Sequence, residues 1–385
     1  MGKIVAAMAT AHAPQFFVYP PTEDFKQLDA GIAAMKEMGK ILDETAAETV
    51  IVIGSDHLET FFLSAVPTFA LMCGKTTNAM FAGKKYDLPT NNAFAAELLD
   101  TLVAKDFDMV YSQDAELGHA FAAPFEWIIG DRKVNVVCLF VNTYMPPLPT
   151  AKRCEALGKV IAQVVKNRPE RVAIIASGGM SHYPGTWKYP EPAFEFDYWM
   201  IEEFERGNTE PFLNFTNAQL DEAGNTEMLP WAIMFGAIGN KRGELISYQP
   251  TWHHGHGMMR FIPESTKPMP EGPPKHHYEF SAHPFEFYRP PNPDFYKLNR
   301  ILYEMRHDQA LRQKFIKEPV KTSLEYGLPE NEAKIMPTLL DENVDMLRSL
   351  KTHPIVEAGA HPLGTLMSLV VVQAEARRMR AAAAK

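Results

Sequence analysis

The chain reads as an α/β protein: a mainly parallel sheet flanked by helices, followed by a small all-helical C-terminal domain. Three observations predict this. Short β-branched runs, KIVAAMAT (3–10), TVIVIGS (49–55), residues 133–140 and RVAIIAS (171–177), alternate with stretches of helical period, the pattern of a parallel α/β sheet. VIVIG and VAIIAS are apolar without alternation, which suits strands buried on both faces. Beyond residue 294 the strand-like runs stop and helical spacing takes over.

The elements justify themselves in order. After the first strand, Ile32, Met35, Met38 (or Ala34), Ile41 and Leu42 recur at three- and four-residue steps within 28–47, the stripe of an amphipathic helix. Residues 91–105 and 152–166 carry the same spacing, and FDMVYS and ELISYQPTW read as further strands. Cys138 lies inside the strand-like VNVVCLF, as a buried structural thiol would. From Pro263 to Asp294 prolines recur at 263, 268, 270, 273, 274, 284, 290, 291 and 293, which excludes a core helix or central strand. This stretch is expected to be an extended connector laid on the surface through Tyr278, Phe280, Phe285, Phe287 and Tyr288. Its apolar side chains suggest a homodimer at least. Three helical stretches follow: LNRILYEMRHDQALRQKFIKE, NEAKIMPTLLDENVDMLRSL and GTLMSLVVVQAEARRMRAAAAK. The basic end of the last suits the negative end of its helix dipole. The expected organisation is an α/β domain over 1–262, a connector over 263–294 and a helical domain over 295–385.

The 385 residues, 46% hydrophobic and 22% charged, suffice for a large core. A net charge of −9 without a basic stripe argues against nucleic acid or an anionic membrane as partner. No apolar run approaches the ~20 residues that span a bilayer. MGKIVAAMATAHAP is too short and interrupted for a secretory signal, and the three cysteines form no CxxC pair or disulfide framework. A reducing cytoplasm is expected.

Chemistry concentrates where strands end. His12, His57 and His182 each fall just past the carboxyl end of a strand-like run, and open α/β sheets bind ligands outside those ends. Imidazole there serves as a metal ligand or a proton carrier. Alone, His12 reads as a structural or surface position, as does His119 in ELGHAFAAP. His57, flanked by Asp56 and Glu59, reads either way, since neighbouring acids can orient a ligating imidazole. His182 in ASGGMSHYPG is the sharpest signal, because Gly178 and Gly179 allow a tight turn and a close approach. A two-histidine, one-carboxylate site suits oxygen-activating Fe(II), but spacing does not choose the carboxylate. Glu227 opens the apolar MLPWAIMFGAI, where a helix cap and a ligand are equal readings. The HHGHGMM cluster matches no closed zinc template. Its His253, His254 and His256, with Trp252, are expected to contact substrate, whereas His276, His277, His283, His353 and His361 read as structural or exposed.

Together TAHAP, SDHLE, the GH of ELGHAF, NTYMPPLPTAKRCEALG, SGGMSH and TEMLPWAIMFGAI run through most of residues 1–262. In this order and spacing the chain resembles the class III (LigB-type) extradiol ring-cleaving dioxygenases, nearest the catalytic β subunit of protocatechuate 4,5-dioxygenase and gallate dioxygenase. The tail, through LRQKFIKEPVKTSLEYGLPENEAKIM and ENVDMLRSL, resembles the small α subunit of protocatechuate 4,5-dioxygenase, so the two parts look fused. The resemblance implies His12, His57 and Glu227 as Fe(II) ligands, His182 as catalytic base and His119 as a second active-site histidine. It implies an aromatic diol and O2 as substrates. The chain departs from the pattern after ELISYQPTW, where relatives carry a small polar segment that helps hold the substrate carboxylate and this chain has Trp252, His253, His254 and His256. A larger ring, one without the carboxylate, or a dihydroxy-heteroaromatic is therefore expected. Two other classes compete: a zinc-dependent hydrolase on the same rim, and a non-catalytic metal-binding protein on this scaffold.

Overall fold

A computed structural model describes residues 2–342 and 351–383. The stretch 343–350, expected to be helical, lies outside the described residues. The expected α/β architecture is present. An eight-stranded sheet has the order β10-β11-β1-β9-β2-β8-β3-β6, where β1 is Lys3–Thr10, β2 Thr49–Gly54, β3 Phe69–Met72, β6 Met109–Ser112, β8 Asn135–Val141, β9 Arg171–Ser177, β10 Glu244–Pro250 and β11 Gly255–Ile262. A small second sheet pairs β4 (Thr76–Phe81) with β5 (Lys84–Pro89) and β7 (Glu116–Leu117).

The centre, β1-β9-β2-β8, is parallel, and its side chains are buried almost throughout. That explains the continuous apolar runs, since helices cover both faces and each buried Val or Ile contributes roughly 1.5–3 kcal/mol. The flanks depart from the parallel expectation: β11 runs antiparallel to β1, β10 to β11, and β3 to β8. Parallel pairing aligns the carboxyl ends of the four central strands on one rim. Antiparallel β11 starts where β1 finishes, with Met258 opposite Thr10, so its amino end joins the same rim.

Helices supply the covering layers. α1 (Phe25–Glu44) is capped by the Asp24 carboxylate, which accepts from Lys26 N–H, and it buries Leu28, Met35, Met38, Ile41 and Leu42. α2 (Ala151–Asn167) is capped by Thr150. It packs closely on α4 (Leu229–Ile238), a helix buried nearly all round. The approach depends on glycine, because a Cβ at Gly158 would stand 1.9 Å from the Ile233 carbonyl oxygen and one at Gly236 1.9 Å from that of Glu155. α3 (Phe194–Glu205) lies between them in sequence and buries Phe196, Asp197, Met200 and Phe204.

The chain divides into two compact units, one of residues 1–56, 66–182 and 192–286, the other of 57–65, 183–191 and 287–385. Two short segments of the second unit thus interrupt the first 262 residues, which patterning alone reads as one block. The proline-rich stretch forms no strand or helix from Pro263 to Asn292, and in its first-unit part Tyr278 and Phe280 pack edge-on against Phe196. Phe285 is exposed. The second unit gathers helices Tyr296–His307, Gln309–Lys317, Pro319–Tyr326 and Pro362–Ala383 around Leu298, Leu302, Met305, Phe315 and Val372. Phe62 joins this unit against Tyr303, and the Tyr288 hydroxyl donates to the Pro184 carbonyl at 2.9 Å. His353 and His361 are buried there. Among the described residues no helix is long and apolar enough to cross a membrane.

Candidate active site

The rim of the first unit collects one residue after another from neighbouring strands. β1 leads to His12, β9 to His182, β8 to Tyr144, β2 to Ser55, and the corner before β11 holds His254. Each is buried.

Glu227 stands at their centre. It lies in a single turn, Thr226–Met228, that feeds α4, and its side chain is fully buried. One carboxylate oxygen, Oε1, is 3.3 Å from His12 Nε2 and accepts from Ser55 Oγ at 3.4 Å. The other, Oε2, accepts the Gly179 N–H at 3.0 Å and stands 3.4 Å from His182 Nε2. The carboxylate thus faces a cluster of imidazoles.

The hydrogen bonds assign the tautomers. Ser177 Oγ donates its only proton to the Ala120 carbonyl, so the 3.0 Å contact with His12 is a donation from His12 Nδ1–H. His12 then turns Nε2 toward Glu227. Likewise the Met180 carbonyl can only accept, so His182 donates from Nδ1 at 2.8 Å and keeps a basic lone pair at Nε2. The Tyr144 hydroxyl donates to that nitrogen at 2.9 Å. Burial pushes the His182 imidazole below its ordinary range, against the opposing pull of Glu227. A neutral imidazole with an accessible lone pair is what a general base near neutral pH requires.

His254 lies flat on His182, ring centroids 3.8 Å apart and planes 10° from parallel. A short antiparallel bridge between the two residues holds the stack. The ligand atoms of His182, Glu227 and His254 lie within 4.8 Å of one another. Among the described residues the Nε2 of His254 has no hydrogen-bonding partner, and neither ring nitrogen of His256 has one. Burial first, then the adjacent imidazoles, pushes both well below the usual histidine range. The two glycines of SGGMSH are spatial requirements, since a Cβ at Gly178 would stand 1.9 Å from the Glu227 carbonyl oxygen and one at Gly179 2.1 Å from His254 Nε2.

The remaining expected residues fall in distinct places. His119 opens a short helix, His119–Pro124, and meets His12 edge-on at 5.4 Å. His256 packs on His254 at 4.5 Å and on Phe16 at 4.9 Å. Trp252 and His253 turn instead to Glu23, whose Oε1 accepts from Trp252 Nε1 at 3.0 Å and lies 3.3 Å from His253 Nε2. Burial alone would raise the Glu23 carboxyl, but hydrogen bonds from His253, Thr22 and Trp252 bring it below the usual carboxylate range. His57 is buried and opens the segment 57–65 of the second unit, three residues beyond the end of β2. Sequence reading passed over Tyr144, Ser177, Asp197 and Glu23. Tyr144 and Ser177 carried a usable signal, since both sit at or just past a strand end.

A cation fits this donor set. His12 Nε2 and Glu227 Oε1 face each other at 3.3 Å in a buried setting, and imidazole with carboxylate suits iron, zinc or manganese. Residues 6–259 match the family described as the catalytic LigB subunit of aromatic ring-opening dioxygenases. The chain belongs to the LigB family. Among curated LigB-like relatives, the 2,3-dihydroxyphenylpropionate/2,3-dihydroxicinnamic acid 1,2-dioxygenase of Klebsiella pneumoniae (strain 342) is 32% identical over 138 residues, 36% of this chain and 44% of that protein. The enzyme of the same name from Escherichia coli O139:H28 is 29% identical over 176 residues, 45% of this chain and 55% of that one. The match thus spans about half the length of these relatives. A crystal structure of an uncharacterized Escherichia coli K12 protein aligns with 67% of this LigB chain and 99% of its own, at 14% identity and a TM-score of 0.48.

Proposed function

We propose that the protein is a non-haem Fe(II)-dependent extradiol dioxygenase that inserts both atoms of O2 into a catechol-type or dihydroxy-heteroaromatic ring and opens it, in the catabolism of aromatic compounds. One observation carries the reading. The buried Glu227 carboxylate faces a metal-competent nitrogen of His12 through Oε1 and, through Oε2, the basic nitrogen of His182. Metal ligand and base are thereby adjacent, as deprotonation of a metal-bound diol requires.

In this reading His12, His57 and Glu227 hold the metal. When bound, Fe(II) supplies the redox step and draws diol and O2 to one centre. The protein's part is placement and proton transfer. His182 takes a phenolic proton at Nε2, the nitrogen on which the Tyr144 hydroxyl rests at 2.9 Å. His119, edge-on to His12, donates a proton on the oxygen side. His254 and His256 wall the ring pocket, and Trp252 and His253, tied to Glu23, brace that wall. A cytoplasmic homodimer completes the proposal; sedimentation would read its size.

The test is O2 uptake by protein loaded anaerobically with Fe(II), across catechols, gallates and dihydroxypyridines. Uptake equal to substrate consumed, absent with zinc, is the expected result. Bound iron with no uptake on any diol overturns the reading, and O2-independent turnover with zinc would favour hydrolysis.

A further inference from the structure

Asp197, in the first turn of α3, is a fully buried carboxylate with no cation among its hydrogen-bonding partners. Burying such a group is costly unless donors surround it, and here they do. Oδ1 accepts the Ser181 N–H at 3.0 Å and Asn225 Nδ2 at 3.3 Å. Oδ2 accepts Ser181 Oγ at 2.7 Å and the Tyr248 hydroxyl at 2.7 Å, and shares the Ser181 N–H at 3.1 Å.

The origin of these donors is informative. Ser181 immediately precedes His182, and Asn225 lies two residues before Glu227. Tyr248 lies on β10, and Gly255, between His254 and His256, backs onto the same carboxylate: a Cβ there would stand 2.1 Å from Asp197 Oδ2 and 2.8 Å from the Tyr248 oxygen. Backbone bonds join these loops at the same place, from Gly255 N–H to the Ser181 carbonyl at 2.9 Å and from His182 N–H to the Gly224 carbonyl at 3.0 Å. Three loops far apart in sequence converge on one carboxyl group, and each carries a residue of the rim.

We propose that Asp197 is a positioning residue, the hydrogen-bonding anchor that sets the mutual placement of His182, His254 and Glu227 while touching neither substrate nor metal. A carboxylate suits the task because its two oxygens accept from several directions at once. An amide offers one acceptor oxygen and turns its N–H groups toward donors. Only the kinetic arm of the test rests on the ring-cleavage reading.

Asp197→Asn and Tyr248→Phe are compared with the unaltered full chain. The second removes one donor and little volume, so it carries the test if the first does not fold. Turnover is measured by O2 uptake with Fe(II)-loaded protein, and the ring signals of His182 and His254 are followed by NMR, with His361 of the other unit as reference. The expected result is normal iron content, kcat lowered about tenfold or more, as misplacement near 1 Å can produce, and displaced signals of both stacked imidazoles with His361 unmoved. Signals that superimpose on those of the unaltered protein overturn the proposal, whatever the turnover. Displaced signals with unchanged kcat overturn it as well. If the unaltered protein shows no O2 uptake, the ring-cleavage reading fails by itself and the imidazole signals alone decide the role of Asp197.

Discussion

The imidazole of His254 stacks on that of His182 at 3.8 Å, and its buried Nε2 has no partner among the described residues. In the proposed reading one ring does two jobs: its face supports the base and its edge offers a polar contact to the substrate. The two separate by substitution. His254→Phe keeps the face and loses the edge, so KM for a preferred diol rises with kcat within about threefold. His254→Ala loses both and lowers kcat as well, by about tenfold or more if the His182 ring drifts. Steady-state O2 uptake resolves the split, and equal effects of the two variants would remove the supporting role.

His182 is held by Nδ1 on a backbone carbonyl and presents Nε2. Its replacement by alanine leaves His12 and Glu227 untouched, so iron binding is retained while turnover drops by roughly 10²–10⁴. Metal analysis beside single-turnover kinetics checks this. Normal turnover in His182→Ala would sink the assignment of the base.

Glu227 is a fully buried carboxylate facing His12 and His182. Glu227→Gln should abolish the rise in melting temperature that Fe(II) produces in the unaltered chain, since stabilisation by a ligand requires its site. Scanning calorimetry with and without Fe(II) reads the effect. An equal rise with iron in the two proteins would exclude Glu227 as a ligand.

His361, in the helical unit, is 2% exposed, and neither ring nitrogen has a partner among the described residues. Burial, helped by Arg306, pushes its imidazole down to about 4. The unfolded chain takes up the proton near pH 6.5 and the folded one only near 4, so stability is complete above 6.5 and is lost as pH falls between these values. The loss reaches on the order of 3 kcal/mol by pH 4. His361→Phe should melt with a visibly smaller decline between pH 7 and 5, and an identical decline would refute the linkage.

Local pattern by itself determined the parts of this protein that depend on near neighbours. KIVAAMAT, TVIVIGS and RVAIIAS became β1, β2 and β9 because strands buried on both faces are apolar at every position. The stripe through Met35, Met38 and Ile41 became α1 because its 3.6-residue period buries one face. Parallel pairing then carried His12 and His182 to a common rim, a consequence of fold class that needs no contact information. Tertiary structure alone decided the rest. The antiparallel β10-β11 pair has no local signature distinguishing its direction. The segments 57–65 and 183–191 joined the helical unit, although nothing in their composition separates them from the chain around them. Glu227 acquired its surroundings from Gly179 and His12, 48 and 215 residues away. Asp197 sits in an ordinary amphipathic turn, and its donors come from two loops and strand β10, which meet only in space. Strands and helices follow from short-range sterics and burial period, whereas a site is made of long-range contacts, and those are set by how the layers pack.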